Sequence, residues 1–399
     1  MKKILVIGAG KLQVNTIKLI KELGHYCIAI DGNPDAIGFK FCDEYANIDV
    51  LDIRACVEYA KNKKIDGVTT TSATITLPAV AAIGEELGLI AISSEVVDVL
   101  RDKYKIKKKL FDGGSNIYGY FSEISTKELY YEAKKNIDYP VVIKPSDGSG
   151  SKGISIVYNE EDLIPAIKYA YKSSRTKGIY IESFIKGKEY GVESFVINGE
   201  VVIYGIIKQV FIDNGREIEY GHCVPSGLPS EVEENIKNEV KKAIKILGIN
   251  YGSVNMDIIL SEGEQEPYII DVGARVGLNK IAEKIVPFST GVDIFKNTIR
   301  LCIGENVDIY PKYSKNIATR VIILEQGKIK DIENYKDLID KKDVLDIIVT
   351  AKKGDVINSY KTKSDSCGWI ITTGNDIEEA EKLASIINNE FKKKIIYDV

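Results

Sequence analysis

The stretch YPVVIKPSDGSGSKGI, residues 139–154, sets one lysine into an apolar run and follows it at once with a loop of glycines, serines and a second lysine. PVVIKP reads as a strand that delivers Lys144 to a site. A Gly/Ser hairpin behind such a strand can wrap its backbone N–H groups around phosphate oxygens, while the lysine supplies a point charge to the same phosphates. The competing reading is a plain surface turn. It is disfavoured because a lysine inside an apolar strand is costly to bury unless something anionic pairs with it.

Downstream, YIESFIKGKEYGVE (180–193) places Glu182 and Glu189 on either side of an apolar turn. That arrangement suits a nucleoside: one carboxylate near a base amino group, an exposed backbone edge at Phe184 and Ile185, and one carboxylate bridging ribose hydroxyls. Taken alone the motif is weak, because exposed strands often carry glutamate. Further on, Asp257 lies in the apolar run VNMDIIL, and Asp271 lies in YIIDVGAR four residues before Arg275. Two carboxylates on neighbouring strands make a hard oxygen site for magnesium, which keeps waters and takes its other ligands from substrate phosphates. Arg275 would then stabilise charge on a transferring phosphoryl group. A buried Asp–Arg salt bridge is the alternative.

Upstream, KILVIGAG reads as a buried parallel strand ending in a glycine turn, and LQVNTIKLIKELG carries helical spacing up to Gly24. Gly8-Ala9-Gly10-Lys11-Leu12-Gln13, with Asp31 ending the next strand, is similar to a dinucleotide-binding fingerprint, but Gln13 stands where a small residue is needed. A tight glycine turn without a dinucleotide is favoured; a small substrate resting on the helix N-terminus comes next. CIAID, YANID and GVTTT alternate with helices near 53–61 and 77–87, which implies a parallel sheet covered on both faces.

Near residue 110 the texture changes. Strands are expected near 180–184, 190–197, 200–210, 253–260 and 268–272, with a helix over 231–247 and a hairpin turning at Asn198-Gly199. After Pro311, short strand-like runs and the helix DIEEAEKLASIINNEF form a third α+β piece. The expected fold class is therefore α/β and α+β. Its domains are an N-terminal doubly wound parallel-sheet domain over 1–110, a central domain of two α+β subdomains over 111–310 with a Gly-rich lid at about 115–185, and a small C-terminal α+β domain over 311–399.

Composition narrows the function classes. The chain has 399 residues, 44% hydrophobic and 28% charged, which is ordinary for a globular multi-domain protein. A formal net charge of -4 gives no global pull toward nucleic acid or anionic membrane. The basic run Lys103 to Lys109 reads as a solvated helix surface, Lys103 excepted. Six scattered cysteines without a Cys-x-x-Cys pair, and only two histidines, argue against zinc and fit a reducing cytosol. A cytoplasmic location is expected: Gly8, Gly10 and Lys11 interrupt the opening before a secretory core forms, and no apolar run approaches about 18 residues.

In order and spacing, these motifs resemble the ATP-grasp superfamily, most closely its carboxylase-like, amino-acid-ligase-like and carbamoyl-phosphate-synthase-like branches. The resemblance rests on the N-terminal glycine turn, Asp102-Lys103, YPVVIKPSDGSGSKG, IESFIKGKEYGVE, the block from NMDIIL to IIDVGAR, and the terminal GWIITTGNDIEEAEKLA. It implies a ligase that uses ATP and magnesium, with manganese as a possible substitute, to activate a carboxylate as an acyl phosphate and join it to an amine. Carried over by motif, Lys103 and Lys144 would contact ATP phosphates, with Ser149, Gly150, Ser151, Lys152 and Gly153 as the lid. Glu182 and the backbone of Phe184 and Ile185 would hold adenine, and Glu189 the ribose. Asp257 and Asp271 would ligate magnesium, Arg275 would face the acyl phosphate, and Lys208 would add a phosphate contact.

One departure stands out. The family usually has Asn two residues after the second acid, whereas this chain has Gly273, so a metal contact is missing or comes from Asn255 or Asn279. The loop GHCVPSG (221–227) resembles the GH-x-x-P stretch of amino-acid-ligase-like members and implies an amino-acid-like substrate near His222; a loop histidine with local hydrogen bonds is the other reading. Expected partners are small-molecule carboxylates and amines, with a homodimer possible and neither nucleic acid nor membrane involved. Two alternatives stay open: a synthetase using phosphoribosylamine or bicarbonate, and a nucleotide-binding protein without catalysis.

Overall fold

The computed structural model describes residues 1–398 other than 72–73, 149–151, 214–216, 264–265 and 361–364. The apolar run at the N-terminus forms β1 (Lys3–Ile7), flanked in parallel by β2 (Tyr26–Asp31) and β4 (Gly67–Thr69), with β3 (Glu44–Asn47) outside β2. β1 is apolar at successive positions because both faces are covered: Ile4 and Val6 pack in one cluster, Leu5 and Ile7 in another.

A second sheet holds β5 (Phe121–Glu123), β6 (Val141–Pro145), β7 (Ser155–Val157) and β8 (Ile179–Ser183), antiparallel in the order β5-β8-β6-β7. The lysine strand read from the sequence is β6.

The largest sheet is antiparallel and eight-stranded. It contains β9 (Gly187–Ile197), β10 (Glu200–Asp213), β11 (Glu217–Val224), β12 (Tyr251–Ser261), β13 (Pro267–Gly273), β14 (Asn316–Val321), β16 (Val344–Val349) and β18 (Gly368–Gly374), in the order β13-β12-β9-β10-β11-β14-β18-β16. A three-stranded sheet of β15 (Gly327–Ile332), β17 (Val356–Ile357) and β19 (Ile395–Tyr397) lies beside it in the sequence.

β9 is buried along most of its length because the sheet is packed on both sides. On one side the helix Ser230–Leu247 sets Val232, Ile236, Val240, Ala243 and Leu247 along one stripe against Val192, Val254 and Met256, and ends at Gly248 in the left-handed region. On the other side Phe195, Ile207 and Val224 meet Val276, Ile281 and Ile285. Each such side chain, fully removed from water, contributes about 1.5–3 kcal/mol.

Two expectations are corrected here. Residues 221–224, expected in a loop, are the end of β11, hydrogen-bonded to both β10 and β14. The strands after Pro311 do not all stand apart: β14, β18 and β16 extend the large sheet. Among the described residues no helix is long and apolar enough to cross a membrane.

Candidate active site

The lysines come together around two carboxylates. Lys144, on β6, forms an ion pair with Glu182 on the adjacent strand β8. The other oxygen of Glu182 stands 3.2 Å from Lys107 Nζ and accepts the Tyr180 hydroxyl at 2.7 Å. All four residues are buried. Burial works against the charge of Glu182, but Lys144 and Lys107, helped by Tyr180, outweigh it and lower the carboxyl pKa to about 2. Lys107 also donates to Ile269 O at 3.0 Å; burial pulls its ammonium pKa down against the attraction of Glu182. Lys103, at the start of the same helix, reaches Asp271 Oδ1 at 2.6 Å. Burial raises the Asp271 pKa, yet Lys103 at this distance, with Lys144 and Arg275 behind it, holds the carboxyl below its ordinary range.

Asp257 on β12 and Asp271 on β13 are direct cross-strand partners. Like charges in that position repel, so the pair favours a nearby cation, and Lys103 supplies one to Asp271. Gly191 of β9 is opposite Asp257 on its other side, where a Cβ would make ordinary contact with Ile207 and Gln209. Among the described residues no group of three or more His, Cys, Asp or Glu stands close enough to hold a metal. Two hard oxygen donors on neighbouring strands fit magnesium that completes its shell with water and phosphate oxygens.

The loop after β13 is held from several directions. Gly277 N–H donates to the fully buried Glu193 at 3.0 Å, Asn255 Nδ2 donates to the other oxygen at 3.2 Å, and Val276 N–H donates to Thr71 O. Burial pushes the Glu193 pKa up to about 8, and the hydrogen bonds and Arg275 offset only part of it. Gly273 opposes Asn255 across the strands, and a Cβ there would come within 3.3 Å of the Arg275 side chain, so the glycine makes room for the arginine. Asn279 donates to Glu219 Oε1 at 2.6 Å, and His222 Nε2 stands 3.3 Å from the same oxygen. Both sequence candidates for the missing metal contact, Asn255 and Asn279, are thus bonded to buried glutamates.

Residues 137–281 match the ATP-grasp domain family, and residues 320–390 match the L-amino acid ligase C-terminal domain 2. An ATP-grasp domain thus occupies the middle of the chain. ATP-grasp enzymes use ATP and magnesium. Over 415 aligned residues the chain is 23% identical to the carbamoyl phosphate synthase large chain of Clostridium beijerinckii, covering 96% of this chain but 38% of that one. It thus spans less than half the length of that curated relative. The solved phosphoribosylglycinamide synthetase of Anaerococcus prevotii is 26% identical with a TM-score of 0.79, covering 100% of this chain and 99% of that one. The L-amino acid ligase of Bacillus licheniformis shares the fold at 22% identity and a TM-score of 0.82, again over 100% and 99%.

Not every residue expected to act joins the cluster. Lys208 pairs across the strands with Tyr190, which packs with Met256 and Val192, so by strand alternation it belongs to the sheet face opposite Asp257. There its Nζ is 3.3 Å from Glu381 of the C-terminal helix. His222 is a buried strand residue whose N–H donates to Thr319 Oγ1, not a loop residue. Phe184 N–H already donates to Pro140 O, Ile185 is buried, and Glu189 is half-buried on β9. Lys152 is exposed, and Gly153 has a positive φ with no room for a Cβ beside Ser173 and Pro145. Ser149, Gly150 and Ser151 lie outside the described residues.

The N-terminal glycine turn is occupied by the protein itself. Asp31 accepts the N–H groups of Ala9 and Asn33, and the Gln13 side chain lies beside Gly8 and Gly10. Three buried groups escaped the sequence reading: Lys107, Glu193 and Glu219. Only Lys107 carried a signal, its i,i+4 spacing from Lys103 on the stripe that also holds Ile106 and Leu110.

Proposed function

We propose that the chain is an ATP-dependent carboxylate–amine ligase that forms an amide bond through an acyl phosphate, with an amino-acid-like substrate. The observation that carries this reading is the hydrogen bond from Asn279 to Glu219. It ties the segment after Arg275 to a buried carboxylate beside His222, and a buried carboxylate is a natural counter-charge for a substrate ammonium group. The match to an L-amino acid ligase C-terminal domain supports the same substrate class.

In this reading Lys103 and Lys144 bind nucleotide phosphates, and the loop around Lys152 and Gly153 closes over them. Glu182, with the Phe184 carbonyl and the Ile185 backbone, meets the adenine edge, and Glu189 meets the ribose. Asp257 and Asp271 would hold magnesium, which supplies charge neutralisation on the phosphates. A carboxylate oxygen attacks the terminal phosphorus and ADP leaves. Arg275 steadies the charge on the transferred group. The amine then attacks the acyl carbon, and phosphate departs with one of the original carboxylate oxygens. Lys208, on the other face, is left out of the phosphate set.

A phosphate-release screen over amino acids, small carboxylates and amines, with ATP and magnesium, tests the reading. ADP and phosphate should form in equal amounts, with oxygen-18 from a labelled carboxylate appearing in the phosphate. AMP and pyrophosphate, or unlabelled phosphate, would sink the mechanism. The same screen with bicarbonate and phosphoribosylamine tests the second reading, favoured by the likeness to the Anaerococcus synthetase.

A further inference from the structure

Glu182 is bound by two ammonium groups that arrive from different parts of the fold. Lys144 comes from the neighbouring strand of the same small sheet, whereas Lys107 comes from the helix Lys103–Asp112, whose Ile106 and Leu110 pack into the core of the large sheet. Lys107 is further fixed by the Ile269 carbonyl of β13. Lys107 and Lys144 take opposite oxygens of the carboxylate. Lys107 and Lys144, both buried, face the buried Glu182, a surplus of one positive charge. A cavity lined by Lys103, Ile106, Lys107, Leu110, Tyr180 and Asp271 adjoins Lys107. Surplus charge among buried groups is costly until an anion arrives.

We propose that Lys107 is a positioning residue that releases Lys144 to the nucleotide: when a nucleoside di- or triphosphate enters, Lys144 turns from Glu182 to the phosphates while Lys107 remains as the counter-ion of Glu182. Without Lys107, the phosphates must take Lys144 from a carboxylate that has no other cation. The proposal rests on reading Lys144 as a phosphate ligand.

Calorimetry with ADP and with adenosine tests it on the wild type, Lys107→Gln, Glu182→Gln and the double variant. Glutamine removes the charge and keeps an amide donor, one bond shorter than the ammonium that reaches Ile269 O. Lys107→Gln should weaken ADP about tenfold, the scale of one charged hydrogen bond, and adenosine less than about twofold. In the Glu182→Gln background, where Lys144 is already released, the same change should cost ADP less than about twofold. An equal loss for adenosine, or a full loss persisting in the Glu182→Gln background, would overturn the proposal alone. A wild type that binds no ADP would overturn the nucleotide reading and the proposal with it. Lys107→Arg keeps the charge and provides a second variant should the glutamine variant fail to fold; a tenfold loss of ADP affinity there would also count against the proposal.

Discussion

Lys103 and Lys144 each end on a carboxylate carried by another element, so each cation can be removed with a defined consequence. Lys144→Ala leaves Glu182 still paired with Lys107, and Lys103→Ala leaves Asp271 near Lys144 and Arg275, so both variants should fold. Each should weaken ATP about 10- to 100-fold, the scale of a hydrogen bond to a charged group, by calorimetry. Unchanged affinity in both would remove the phosphate-lysine assignment. Asp271→Asn and Arg275→Ala should fold and bind ATP weakly, yet lose turnover by about two orders of magnitude or more, because both act on charge that develops during transfer. Comparable losses in binding and turnover would contradict that separation. Glu193 makes a stability prediction. Its carboxyl is raised from the ordinary 4.5 to about 8, so the folded chain keeps a proton that the unfolded chain releases, and stability falls as pH rises through that window. The slope is at most about 1.4 kcal/mol per pH unit. Thermal melts at pH 5 and pH 8 without divalent cation should show Glu193→Gln gaining on the wild type at the higher pH; parallel curves would refute it. Lys144 was legible because a lysine in an apolar strand needs an anion. Lys107 was legible only through its i,i+4 spacing from Lys103, because in KYKIKKK composition alone cannot say which lysine faces inward.

The segment from Gly273 to Ile285 concentrates the unusual backbone of the molecule. Asn279 and Lys280 both have positive φ, and a π-helical turn follows from Ile281 to Ile285. Such conformations cost free energy and persist where the surroundings hold them, often at functional sites. Gly277 sits at the tightest point: a Cβ would stand 2.4 Å from a Glu193 oxygen. Gly277→Ala should therefore shift the loop that carries Arg275 and lower kcat about a hundredfold, since small misplacements in a transfer site are expensive. ATP affinity should change little, because the lysine cluster belongs to other elements. Steady-state kinetics paired with calorimetry would show it, and an unchanged kcat would count against the loop's role. The misreading of β11 has a physical cause at this scale. Gly221 looks like a loop signal, but a Cβ there would strike Thr319 O at 2.1 Å, so the glycine marks the close approach of β11 to the segment around Thr319. β6 was legible because its apolar run is interrupted only by Lys144, and β12 because VNMDIIL is apolar but for Asn255 and Asp257.

The parallel N-terminal sheet and the antiparallel character of the middle region both follow from local patterns, alternation with helices in one case and the Asn198-Gly199 hairpin in the other. The joining of β11 to β14 does not, because it brings together segments about a hundred residues apart with no local signature. The seam itself is narrow: two residue pairs, Cys223 with Ala318 and Val224 with Ile317, backed by Glu381, which receives Lys208, Arg320 and the Cys223 thiol. A chain cut after residue 310 should lose both the ladder and this partly exposed charge cluster, and expose the edge of β11. It is expected to aggregate or elute as large species in size-exclusion chromatography, whereas a monodisperse truncated protein would show that the seam is dispensable. Over evolutionary time, a sheet shared between two stretches of chain restricts exchange. A transplanted C-terminal segment would need to arrive with its own strand, arginine and glutamate already matched to β10 and β11, so this lineage diverges more readily by single changes than by the swapping of whole cassettes.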